Sequence, residues 1–194
     1  MLGSVMRTMF LRISALYVIS AVVIGDFDGH RAFAMQYISW DEKDYGRLSF
    51  SLVDGESIAL PLGAHVEGVY VDERKHKIGN SVFLSVFQVS QSNPSKPMGL
   101  CGAGREVRLH VYALRSHMLL EKCEVLVSSC INSISVVSEN SGKAGQEGDF
   151  SSVKWNESGF TIDWFSNKDV TGRPLSSTEY TLRNGVFIPE NVPS

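Results

Sequence analysis

Most of the local motifs that carry chemistry are missing from this sequence of 194 residues. None of its five histidines stands four positions from another, which removes the His-Glu-x-x-His zinc proteases. Three cysteines with no Cys-x-x-Cys pair do not make a closed zinc site. There is no Gly-x-Ser-x-Gly elbow to support acyl transfer, and Ser128-Ser129 and Ser176-Ser177 have no base beside them in sequence. The glycine spacing of Gly99–Gly104 is not followed by Lys-Ser or Lys-Thr and does not lead a strand into a helix, so no phosphate cradle is expected. No catalytic residue, metal ligand or cofactor site is singled out. Nor does any Lys/Arg cluster offer the footprint of a phosphate-backbone reader, which excludes nucleic acid as the expected partner.

Long apolar runs are also absent. The longest, Ile13–Gly25, has 13 residues, against about 20 for a helix that crosses a bilayer. With Arg7 and Arg12 before it and the small residues of Ala32-Phe33-Ala34 after it, residues 1–34 read as a signal-peptide helix, expected to be cleaved after Ala34. Asp26, Asp28, His30 and Arg31 make the cleavage region long and charged, and a signal left uncut as an N-terminal anchor is the alternative. No cysteine follows the run, so no lipid attachment is available. Cleavage implies an exported protein, periplasmic or secreted, with no permanent membrane span. Residues 35–194 then carry 15 basic and 19 acidic groups, a mild negative charge that suits a basic protein partner.

What is abundant is strand-and-turn writing. Gly, Asn, Pro or Ser punctuate the chain, and runs rich in Val, Phe, Ile, Tyr and Trp lie between. Arg47–Val53 alternates as a half-buried strand, followed across Asp54-Gly55-Glu56 by Ser57–Leu60. Ser81–Val89 is apolar on both faces and belongs in the middle of the fold. Arg105–Leu114 alternates, with Val107, Leu109, Val111 and Ala113 inward and Glu106, Arg108, His110 and Tyr112 outward. His117–Lys122 fits a helical turn or a strand, and Glu124–Val137 continues as one or two strands. Phe150–Trp155 and Phe160–Phe165 form a hairpin with Gly159 in the left-handed region, and Asn184-Gly185 joins a last pair. Glu139–Asp149, with no apolar residue larger than Ala, is expected to be exposed and mobile. The expected fold is all-β, an antiparallel meander of hairpins closing as a sandwich, barrel or propeller-like array. The lack of a fixed-period repeat argues against a true propeller.

In an exported chain three cysteines imply a disulfide and one spare thiol. Cys123 and Cys130, seven apart, would face opposite sides of one straight strand, so one of them can meet Cys101 in its glycine-rich turn. The favoured pair is Cys101–Cys130, with Cys123 a buried thiol. His110 is expected on the surface, Asp72-Glu73 with Arg74-Lys75 in a solvated charge run, and Asn156-Glu157-Ser158 as turn chemistry rather than a glycosylation acceptor. Glu147 and Asp149 lack the spacing of a calcium loop.

The run Leu100-Cys101-Gly102-Ala103-Gly104-Arg105-Glu106, followed by Val127-Ser128-Ser129-Cys130-Ile131-Asn132-Ser133-Ile134, resembles a loosely defined group of small exported proteins of Gram-negative bacteria. The likeness covers about residues 98–165. It supports the same Cys101–Cys130 pairing and supplies no activity. Export, small size, acidic balance, a cystine-pinned β scaffold and an exposed loop suggest a periplasmic binding protein that neutralises a cell-wall hydrolase, in the manner of lysozyme inhibitors or immunity proteins. The alternative is an envelope-associated enzyme or structural domain whose site is dispersed along the chain.

Overall fold

The computed structural model describes residues 35–39, 47–52, 55–63, 65–72, 74–116 and 118–194. The signal expected over 1–34 lies outside the described residues. The chain is all-β, as its punctuation predicts, and its first strands are β1 (Met35–Ser39), β2 (Arg47–Ser51), β3 (Ser57–Pro61), β4 (Val66–Asp72) and β5 (His76–Ile78). The long strands β6 (Ser81–Gln91), β7 (Arg105–Arg115) and β8 (Met118–Ser129) follow, then the short β9 (Ser135–Val136). The chain ends with β10 (Val153–Trp155), β11 (Gly159–Ser166), β12 (Leu175–Arg183) and β13 (Val186–Pro193). Every pairing is antiparallel. Among the described residues no helix is long and apolar enough to cross a membrane.

Three layers stack. The central sheet runs β1-β4-β6-β7-β8, with β5 on the same edge of β6 as β4. Phe83, Phe87, Leu109, Val111 and Val127 on one of its faces meet Phe150, Phe160, Ile162, Trp164 and Phe187 of the sheet β10-β11-β12-β13 and its approaches. The opposite face, through Val69, Val71, Leu84, Val86 and Tyr112, packs on Ile58 and Leu60 of the β2-β3 hairpin. Of the three architectures the sequence permits, facing sheets over a shared core make a sandwich, with a hairpin as an added layer.

The double-sided character of Ser81–Val89 follows from this: Phe83 to Val89 are all buried. The same layering corrects the reading of β7. Its outward set was expected in water, yet Tyr112, His110 and Glu106 are buried: Tyr112 packs with Ile58 and Leu60 of β2-β3, and Glu106 accepts from the Ser92 hydroxyl at 2.6 Å. The ambiguous segment after His117 is strand from Met118 onward.

Turn chemistry is largely as the residues demand. Asn184 and Gly185 both take positive φ (51° and 79°), the two-residue hairpin geometry. Gly159 is different from expectation. It is not in the left-handed region but inside β11, where a Cβ would stand 1.7 Å from the Tyr180 carbonyl oxygen. Glycine is needed there for close strand approach. The turn itself is made by Asn156, whose Oδ1 accepts from the Ser158 and Gly159 backbone N–H groups.

Candidate functional site

The Cys101–Cys130 disulfide is present, with Cα atoms 5.7 Å apart, and it pins the turn after β6 to the end of β8. Glycines let the two segments touch: a Cβ on Gly104 would lie 2.7 Å from the Cys130 Cβ, and one on Gly102 would lie 2.0 Å from the Pro97 carbonyl oxygen. Cys123 is half-buried rather than buried, and burial pushes its thiol up to about 11.

Beside the cystine opens a cleft of about 1090 Å³. Its walls come from the start of β7 (Arg105), the end of β8 (Ser128), the far end of β11 (Phe165), Tyr70 of β4, and Glu139 and Glu147 of the polar loop. That loop corrects the sequence expectation at its ends. Residues 141–145 are exposed, but Ser138–Asn140 and Gln146–Gly148 are short 3-10 turns, and Gly148 lies against the Tyr70 ring so closely that a Cβ there would sit 2.7 Å from it.

Hydrogen bonds fix the first turn. The Ser138 N–H donates to Ser152 Oγ at 2.8 Å, the Ser138 hydroxyl donates to the Asp149 carbonyl, and Asn140 Nδ2 donates to the Val136 carbonyl at 2.9 Å. Held this way, Glu139 turns back toward β8. Ser128 and the Val136 N–H stand close enough to favour its charged form, while Oε2 is closed to solvent and has no hydrogen-bond partner. Burial raises its pKa to about 7 against the lowering effect of those two donors, and the charges of Asp149 and Glu147 push the same way as burial. A carboxyl half ionised at neutrality can receive a cationic group, bond a neutral donor or move a proton.

The surroundings of the cystine are also unusually apolar for a surface. Met98 and Leu100 on the pinned turn, Ile131 beyond Cys130, and Phe165 in the cleft wall are 98, 88, 56 and 64% exposed. Exposed apolar side chains next to a cystine-pinned cleft suit a binding surface.

The remaining residues weighed from sequence fall elsewhere. His65 is exposed, and His117 lies outside the described residues. Asp72 is no solvated charge: it is buried, accepts from the backbone N–H and Nε of Arg74 at 3.1 Å, and contacts His76 Nε2 at 2.8 Å. Burial raises its pKa, and the bonds from His76 and Arg74 outweigh this and hold the carboxyl below its ordinary value. His76 in turn stacks on Trp155, with ring centroids 4.3 Å apart. These contacts stitch the gap between β4 and β5. Asp149 spends Oδ1 on the Ser151 N–H. Ser128, which has no base beside it in sequence, has the Glu139 carboxyl beside it in space. Glu139 itself escaped the sequence reading because nothing local marks a glutamate in a polar loop as half-buried.

No family model, curated protein or solved structure matches this chain significantly. The functional reading therefore rests on the site.

Proposed function

We propose that the protein is an exported binding protein that neutralises a cell-wall-directed hydrolase, and that the cleft beside the cystine is its contact surface. The observation that carries this is Glu139, a half-buried carboxyl with an unpartnered oxygen, in a cleft that also exposes Phe165. A Lys or Arg of the hydrolase entering the cleft would supply the missing donor as a charge-assisted bond once the Glu139 side chain turns outward, while Phe165 in the cleft wall packs against it and excludes water. The net negative charge beyond residue 34 favours a basic partner, and the disulfide is compatible with an oxidising compartment.

The test titrates lysozymes, lytic transglycosylases and wall amidases with the purified full chain. Stoichiometric loss of activity of one of these classes is expected, weakened by Glu139→Gln and by Phe165→Ala. Full hydrolase activity throughout the panel at excess protein refutes the reading. A second reading draws on the same carboxyl: a group at about 7 near Glu147 and Asp149 is suited to donate a proton to a leaving sugar oxygen. Turnover of wall fragments by the purified protein, lost in Glu139→Gln, would put this enzyme reading in place of the first.

A further inference from the structure

A second polar cluster lies on the face of the central sheet partly covered by β2-β3, on β7 and β8. Glu121 and Glu124 are three residues apart, and on a regular strand they would face opposite sides. Here β8 carries a bulge. Glu124 pairs with His110 and Cys123 with Val111, but Glu121, not Lys122, pairs with Tyr112. The extra residue resets the alternation, so both carboxylates share the face of His110 and Tyr112. Cys123 is left on the other face, against the main core.

The result is one imidazole and two carboxylates with a donor atom from each within 4.8 Å of one another. The histidine is the unusual member. It is 9% exposed, and its Nδ1 is closed to solvent with no hydrogen bond. Glu121 Oε1 is 3.4 Å from that nitrogen but out of hydrogen-bond geometry. A buried ring nitrogen aimed at a carboxylate it does not bond is the arrangement that an ion between them would complete.

We propose that His110, Glu121 and Glu124 bind a divalent transition-metal ion. The mixed nitrogen and oxygen set suits zinc or its first-row neighbours better than calcium or magnesium. Donors on a tetrahedral ion with bonds of about 2.1 Å stand roughly 3.4 Å apart; His110 Nδ1 and Glu121 Oε1 are already 3.4 Å apart, and no donor pair exceeds 4.8 Å. The parts that must move are free to: the Glu121 and Glu124 side chains are 46 and 45% exposed. The ring is the fixed point, stacked near Tyr112 at 6.1 Å and 13°. Arg108 Nη1, 3.3 Å from Glu124 Oε1, competes for that carboxylate, but it too is 45% exposed and can swing away. Three protein ligands leave a fourth position for water or an outside ligand.

The test is calorimetric titration of the untagged, oxidised full chain with Zn2+, followed by NMR of the His110 imidazole nitrogens. One ion per chain and a shift of those resonances are expected. Loss of both carboxylates in Glu121→Gln/Glu124→Gln, two half-exposed sites, should weaken binding at least as much as loss of an outer-shell partner, about 10- to 100-fold. Far-UV circular dichroism shows that the variant is folded, and Glu157→Gln on an exposed turn serves as the unaffected control. No heat with excess Zn2+, an unmoved His110 signal, or an unchanged affinity in the double variant would overturn the site.

Discussion

Replacing Glu139 by Gln isolates the energetics of the cleft. Gln keeps the shape of the side chain and a carbonyl acceptor beside Ser128 and Val136 but cannot ionise. In the wild type the carboxyl has an ordinary value of 4.5 and a folded value of about 7. A group raised on folding binds its proton more tightly in the folded state. Its stabilising contribution is therefore fully present below 4.5 and is lost as the pH rises to about 7, after which it stays lost. At about 1.4 kcal/mol per pH unit the ceiling is about 3 kcal/mol, and partial access of water brings the expected effect to about 1–3 kcal/mol. The amide Nε2 must also find an acceptor where Oε2 had no partner, a pH-independent cost of about 1 kcal/mol.

Urea unfolding at a series of pH values between 4 and 8.5 checks the sign and size together. The difference in stability, variant minus wild type, should climb by about 1–3 kcal/mol between pH 4.5 and 7 and be flat on either side. Asp72, whose depressed carboxyl lowers the stability of both proteins at acid pH, cancels in the difference. Parallel profiles for the two proteins would mean that Glu139 is an ordinary solvated glutamate, and the cleft would lose its one poised group.

Gly159→Ala should cost about 3 kcal/mol or more in chemical denaturation, because the new Cβ meets the Tyr180 carbonyl across β11 and β12; a midpoint near the wild-type value would show that the strands part easily. Loss of the cystine in Cys101→Ala/Cys130→Ala releases a loop with ends 29 residues apart and should lower unfolding free energy by about 3 kcal/mol. A loss below about 1 kcal/mol would mean that the unfolded chain is already held compact. Phe87→Ala empties a fully buried site stacked on Phe150 at 4.3 Å and should cost about 3–5 kcal/mol by the same assay, with near-neutral behaviour ruling out a tightly packed inter-sheet core.

The parts of the fold that are legible in the sequence are those where one local rule decides. Asn184-Gly185 dictates its turn through backbone sterics alone, and the run of buried residues in β6 announces a strand with neighbours on both faces. The flexible Gly99–Gly104 turn marks Cys101 as one end of the cystine, but alternation alone does not choose its partner, and β8 is bulged between Cys123 and Cys130. What the sequence hides depends on layers or registers that no window contains. The outward set of β7 looks solvated because its alternation is regular, yet a hairpin some fifty residues earlier partly covers that face. Carboxylates three apart look opposed on β8 until a bulge, invisible in composition, turns them to one side beside His110. Glu139 is concealed in the same way, in a loop whose polarity argues for water while three hydrogen bonds around Ser138 and Asn140 hold it against β8. In the last two cases the chemistry gathers where the simple pattern is broken: the bulge in β8 brings Glu121 and Glu124 beside His110, and the turn at Ser138–Asn140 carries Glu139 against β8, where regular alternation would have sent the carboxylates apart or into solvent.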